Sequence, residues 1–202
     1  MIDMRVLKAL RNGREWAFCI WEPLNVMVVV GRGGTVEKEV LCHRCKKDGI
    51  PIYQRRTGGG TVVLSPGMLV FSVGKKIEKP LAVQKYNRVL TEFTANFFNG
   101  LGVEKMEFQG EADLAIGNRK IMGSGMYMSK QFLFYQASIL VEPDVSLMKK
   151  YLPHPPREPE YRKNRSHDSF VTTLREQGYD FNVLDLKKKL CLYLLENIER
   201  IR

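Results

Sequence analysis

Three consecutive glycines, Gly58-Gly59-Gly60, constrain this chain more than any other feature. They stand between two β-prone runs, Ile50 to Gln54 and Thr61 to Leu64, and follow Arg55-Arg56-Thr57 directly. Helix and strand interiors both lose stability at glycine, so the segment is a loop that strands enter and leave. Glycine also reaches positive φ and lets backbone N–H groups approach an anion with no side chain in the way. The arginines ahead of it can grip a phosphate or carboxylate through a planar fork. No Gly-Lys-Ser/Thr follows and no helix opens there, which excludes a P-loop. Strand after the glycines excludes the dinucleotide-binding fingerprint as well. Read alone, the segment also fits a Gly-rich hairpin turn.

The rest of the chain arranges itself around this loop. Its 202 residues suit one domain with a core of its own. Met4 to Leu10 reads as the end of a helix. Trp16 to Trp21 and Val26 to Val30 read as strands joined through a turn at Pro23 and Asn25. Thr35 can cap a helix running to about Lys47, with Gly49 as its stop. Pro66-Gly67 turns into a strand, Met68 to Val73. Between Leu81 and Leu101, Tyr86, Val89, Leu90, Phe93 and Phe97 recur at helical spacing. Val103 to Phe108, Asp113 to Ile116, Arg119 to Tyr127 and Phe132 to Val141 read as strands with turns at Gly117-Asn118 and Ser129-Lys130. An irregular basic loop, 153–166, precedes helices expected over 167–177 and 182–200. The latter has Asn182 as cap and an apolar stripe at Leu186, Leu190, Leu194 and Ile198. Antiparallel hairpins with helices grouped on one side make an α+β fold with a mixed, mostly antiparallel sheet.

A second segment carries chemistry: Asp113-Leu114 through Lys120-Ile121-Met122-Gly123-Ser124. A strand lysine followed three residues later by Gly-Ser can hold an ammonium beside a wall that a ligand packs against closely. Lys120 alone also reads as a solvated strand lysine. Asp113 can either cap a turn or hold Mg²⁺ through phosphates. The four cysteines offer only Cys42-His43-Arg44-Cys45, with no second ligand pair to complete a zinc site, so they are expected to be structural thiols. A net charge of +10 speaks to acidic partners and not to fold. No helix-turn-helix or aromatic RNA-binding motif turns that charge toward nucleic acid. No apolar run approaches the roughly 20 residues of a membrane span. The N-terminus lacks the pattern of a signal peptide, so a soluble, cytoplasmic protein is expected.

Together, Arg55-Arg56-Thr57-Gly58-Gly59-Gly60-Thr61-Val62 and Asp113-Leu114…Lys120-Ile121-Met122-Gly123-Ser124 resemble the lipoate–protein ligase family of the biotin/lipoate ligase superfamily. Supporting matches are Val30-Gly31-Arg32, Pro66-Gly67, and Pro159 to His167 with Phe170 and Leu174. The resemblance spans about residues 16–178 and implies a class II synthetase-like catalytic domain over 1–202, without a C-terminal accessory domain. It implies activation of lipoate or octanoate with ATP to acyl-AMP, then transfer to a lysine of an acidic acceptor domain. Lys120 would be the catalytic electrophile, and Asp113 a Mg²⁺ ligand. Arg55, Gly58, Gly59, Gly60, Thr61, Val62, Val63, Asp113, Gly123 and Ser124 would bind substrate and ATP. Many such ligases use an accessory domain, which leaves a separate subunit to supply it.

The sequence departs from the family pattern at Leu64-Ser65, Val70, Ala112 and Tyr135-Gln136-Ala137, each time losing a polar or small pocket residue. Two neighbouring readings stay open: an octanoyltransferase with a thiolate nucleophile, and a non-catalytic protein that binds lipoyl groups or acceptor domains. None of the cysteines falls where the first would need it.

Overall fold

The structure, a computed structural model, describes residues 3–77 and 83–200, so Leu81 of the expected long helix lies outside the described residues. In chain order the elements are α1 (Asp3–Arg11), β1 (Trp16–Trp21), β2 (Met27–Val30), α2 (Val36–Glu39), α3 (Cys42–Lys47), β3 (Ile52–Gln54), β4 (Val62–Leu64) and β5 (Met68–Lys76). Then come α4 (Val83–Gly100), β6 (Met106–Gln109), β7 (Asp113–Ile116), β8 (Arg119–Met128), β9 (Phe132–Leu140), α5 (Ser146–Tyr151), α6 (His167–Phe170) and α7 (Val183–Asn197). The strands form two sheets. A six-stranded sheet runs β1-β5-β9-β8-β7-β6, every pair antiparallel. A three-stranded sheet runs β3-β2-β4, in which β2 and β3 are parallel.

β5 shows why the two sheets stack. Its residues from Met68 to Gly74 are all buried, the pattern of a strand covered on both faces. Leu69, Phe71 and Val73 enter the main core with Leu90, Phe97 and Phe98 of α4 and Leu186, Leu190 and Leu194 of α7. Met68 and Val70 point the other way and meet Val29 of β2 and Leu64 of β4. Asn182 starts α7 as expected, its side chain accepting the N–H groups of Leu184 and Asp185. The α+β class holds, with α4 and α7 sharing one face. α1 lies on the opposite face, where Val6 and Leu7 pack on Phe134 and only a glycine at position 74 leaves room for Val6 and Leu10.

Four local expectations change. β1 and β2 do not pair with each other: β1 pairs with β5, and β2 is the middle strand of the second sheet. Val28 and Val30 bury on one face of β2 and Val29 on the other. The same insertion of β2 between β3 and β4 means that the Gly-rich loop is not a hairpin turn. The helix expected from Thr35 to Lys47 breaks at Val40, which turns extended to bury its side chain, while the Leu41 N–H donates to the Tyr151 carbonyl. Last, the helix expected over 167–177 unwinds after one turn. The β-branched run Val171-Thr172-Thr173 is buried and extended, bridging to Lys120 with the Thr172 N–H on the Lys120 carbonyl.

Leu190 is fully buried where α7 meets β5. Leu190→Ala is expected to lower unfolding free energy by about 2–5 kcal/mol, and Asn182→Ala by about 1 kcal/mol. Urea denaturation followed by far-UV circular dichroism checks both.

Candidate active site

The two sheets enclose a cavity of about 530 Å³, a volume suited to a small-molecule ligand. Met27, Val29, Met68, Val70, Leu140 and Phe170 make its apolar end. Lys120, Ser124, Gln136 and, from the Gly-rich loop, Arg55, Gly60 and Thr61 make its polar side, while Gly58 and Gly59 are not in the lining. Val70 therefore supplies apolar wall where the family pattern has a polar residue. Tyr135 does not reach the cavity. It is fully buried in the main core with its hydroxyl 3.2 Å from Thr91 Oγ1, and burial pushes its phenol up to about 12.

Arg55 organises the loop from within. Its Nε donates to Thr57 Oγ1 (3.0 Å) and its Nη1 to the Val29 carbonyl (3.1 Å). Nη2 donates to the carbonyls of Gly58 (2.8 Å) and Gly60 (2.7 Å). The guanidinium is thus committed largely to the protein's own oxygens. Thr57, fully buried, donates its hydroxyl hydrogen bond to Gln136 Oε1 at 2.9 Å and so ties the loop to β9. Gly59 has φ +90°, and a Cβ there would sit 3.0 Å from Arg55 Nη2 and 3.3 Å from the Ser124 carbonyl. A Cβ at Gly125 would strike the Gly58 carbonyl, so β8 and the loop meet glycine to glycine. Thr61 donates to Glu39 Oε2 at 2.6 Å, which fixes the loop's exit against α2. Val62 and Val63 both line the cavity, and Val63 also packs among Val28, Val30 and Val40.

Across the cavity stands Lys120. Its ammonium lies 2.7 Å from Asp113 Oδ1, the lysine side chain 28% exposed and the aspartate 12%. The Tyr161 hydroxyl donates to the other oxygen, Oδ2, at 2.8 Å. A β-bulge sets this up. β7 pairs Leu114 with Met122 but Ala115 with Lys120, leaving Ile121 as the extra residue. Residues three apart face opposite sides of a regular strand. The bulge buries Ile121 and Met122 in the same core and brings Lys120 round to Gly123. There a Cβ would lie 2.9 Å from both Cε and Nζ of the lysine. The glycine is the space the ammonium occupies. Ser124 Oγ lies 2.9 Å from the Ala112 carbonyl and 3.1 Å from Asn87 Oδ1, which anchors β8 to α4.

Both oxygens of Asp113 are engaged, by Lys120 and by the Tyr161 hydroxyl, and the residue stands behind Lys120 and outside the cavity lining. The Cys42/Cys45 pair lies in α3 with Cys45 buried, and no disulfide forms. Burial pulls the His167 imidazole down, and its Nε2 lies 3.1 Å from the Pro153 carbonyl, an acceptor, so Nε2 carries the proton. In a second, smaller pocket, Arg32 and Arg56 form a basic shelf with Arg55 and Gln54, and Arg32 lies over the ring of Tyr127 at 5.4 Å. No helix of the described residues is long and apolar enough to cross a membrane.

The family model for the lipoyl protein ligase A/B catalytic domain matches residues 2–195. The chain belongs to this family. The probable lipoate-protein ligase A of Mycoplasma pneumoniae is 32% identical over 151 residues, 73% of this chain and 43% of its own length. The chain thus spans less than half of that relative. Two solved structures share the fold at 23% identity. One is a bi-partite lipoate protein ligase from Thermoplasma acidophilum, solved in work on that ligase and its E2 lipoyl domain (TM-score 0.80, covering 98% of this chain and 78% of that one). The other is a lipoate-protein ligase A bound with ATP (TM-score 0.79, with the same coverage).

Within this ligase family fold, the two motif segments quoted from the sequence face each other across one cavity. Gln136, Glu39 and Tyr161 were not among the expected site residues. Gln136 stands out in the sequence only as a departure from the family pattern, and Tyr161 only within the Pro159 to His167 segment that supports the resemblance, with no role assigned to it. Two substitutions test the geometry. Gly123→Ala should push the Lys120 ammonium out of hydrogen-bond reach of Asp113, visible in a crystal structure, with unfolding free energy changed by no more than about 1 kcal/mol. Arg55→Lys, which cannot reproduce the fork, should cost about 2 kcal/mol or more in denaturant unfolding.

Proposed function

We propose that the chain is the catalytic part of a lipoate–protein ligase that activates lipoate or octanoate with ATP and passes the acyl group to a lysine of an acceptor protein. The observation that carries this reading is the Lys120 ammonium, fixed by Asp113 on the polar side of a largely apolar cavity and standing across from the Gly-rich loop. The apolar end takes the acyl chain. The carboxylate oxygen attacks the α-phosphorus, the bond to the bridging oxygen breaks, and pyrophosphate leaves with the electron pair. Lys120 offsets the charge that gathers between carboxylate and phosphate, a preorganised cation in a partly desolvated site. Gly58, Gly59, Gly60, Thr61, Val62 and Val63 present backbone to the nucleotide and the chain. Arg55 holds that backbone in place and lines the cavity.

In the second step the acceptor's neutral amine attacks the acyl carbon, AMP leaves, and the amine gives up a proton. The basic shelf of Arg32 and Arg56 and the +10 net charge favour an acidic acceptor, chiefly through its rate of encounter. A separate accessory subunit fits the part of the relatives' length that this chain does not span. Mg²⁺ enters the proposal only as the nucleotide's own counter-ion. An acyltransferase working through a cysteine is less well supported, since none of Cys19, Cys42, Cys45 and Cys191 lines the cavity.

Incubation with Mg-ATP and lipoate, then octanoate, should yield acyl-AMP and pyrophosphate by mass spectrometry, and Lys120→Ala should reduce that product at least about 1000-fold. An alanine variant as active as the parent would sink the role given to Lys120. Bound lipoate without acyl-AMP, with or without an added partner, would leave a lipoyl-binding protein in place of a ligase.

A further inference from the structure

Asp113 is gripped from two sides, and only one grip comes from the sheet. The other comes from Tyr161, in the 3₁₀ turn Glu160–Arg162 of the basic loop. We propose that Tyr161 is a positioning residue for Lys120, acting through Asp113, an inference that rests on the activating role given to that lysine. Among the described residues the order is a ladder: Lys120 lines the cavity, Asp113 stands behind it, and Tyr161 stands behind Asp113.

A lysine side chain carries about 2 kcal/mol of rotamer entropy, so an ammonium that must meet a developing charge at one point needs a fixed partner. A carboxylate held through one oxygen can still turn about its own bonds. Held through both, it fixes the direction in which Oδ1 meets the ammonium. The phenol is suited to this, because burial and the adjacent Asp113 carboxylate push its ionisation far above the usual range and keep it a donor.

The loop is built to present that hydroxyl. Arg165 Nη2 donates to the Tyr161 carbonyl (2.7 Å) and to the Asn118 carbonyl (2.8 Å), tying the loop to the β7–β8 turn. Arg162, buried, stacks over Phe170 at 4.7 Å, and the Tyr161 ring sits 5.1 Å from the same phenylalanine. Glu158 Oε1 accepts the Asn164 N–H at 2.7 Å. Lys163 and Asn164 both sit in the left-handed region, at φ 52° and 59°, a conformation that costs free energy in non-glycine residues and persists where the surroundings impose it. If the ring were only a packing peg, the hydroxyl would be dispensable.

Tyr161→Phe separates the two roles, since it keeps the ring and removes only the oxygen. In ¹⁵N-labelled protein the Lys120 ammonium resonance is identified by its loss in Lys120→Gln. In Tyr161→Phe that resonance is expected to shift and its hydrogen exchange to quicken several-fold, with Asp113→Asn producing the same change from the other end. The kcat for acyl-adenylate formation should fall about ten- to hundredfold while KM for the acid stays within about twofold, the pattern of a misplaced group rather than a lost binding contact. A Lys120 resonance unmoved by Tyr161→Phe overturns the proposal, as does a moved resonance with unchanged kcat in an active protein. A moved resonance in a protein whose parent makes no acyl-adenylate, with or without an added partner, supports the positioning and overturns the ligase reading instead.

Discussion

The guanidinium of Arg55 is the interaction on which the cavity depends. Three glycines in a row have more conformations to lose than any other tripeptide, and each ordered residue costs about 1–2 kcal/mol of backbone entropy. Arg55 offsets that cost by gathering the carbonyls of Gly58 and Gly60, the Thr57 hydroxyl and the Val29 carbonyl around one planar cation. The last of these belongs to the second sheet, and Thr57 in turn reaches Gln136 in the first. The loop therefore pins one sheet to the other along the rim of the space between them. Because this charge is directed at the protein's own oxygens, it is a different residue, Lys120, whose ammonium stands across the cavity from the loop.

That division follows from chemistry. A guanidinium presents five donors in a rigid plane and suits the task of holding several carbonyls at once. An ammonium is a compact charge on a flexible stem, able to meet an oxyanion but needing to be held. The β7–β8 bulge, the missing Cβ of Gly123 and the Asp113 carboxylate supply that hold. The apolar walls around it lower the local dielectric, which strengthens the attraction between a fixed cation and a developing anion.

Much of this was legible in the chain. The Asn182 cap with its Leu186, Leu190 and Leu194 stripe, the strands of the main sheet and the two motif segments are local patterns, and local patterns survive folding. The misreadings have a common cause in burial by distant residues. Val28, Val29 and Val30 look like any β-prone run, and nothing near them says that both faces will be covered. Thr35 to Lys47 has helical composition, but Val40 gains more by burying its side chain than by continuing the helix. Val171 to Thr173 follow a helical turn, but the β-branched run is buried and bridges to Lys120, about fifty residues earlier in the chain.

The sequence by itself determined the α+β class, the Gly-rich loop, the lysine and the aspartate. Each is written in periodicity or in a residue type with few physical alternatives. Only the tertiary structure decided which partner each polar group meets. It turned Arg55 inward, made Gln136 the anchor of the loop, used a bulge to bring Lys120 beside Gly123, and set Tyr161 behind Asp113. Hydrogen bonds and close contacts between residues tens of positions apart depend on ångström-scale geometry, and that geometry exists only once both sheets and the loop between them are packed.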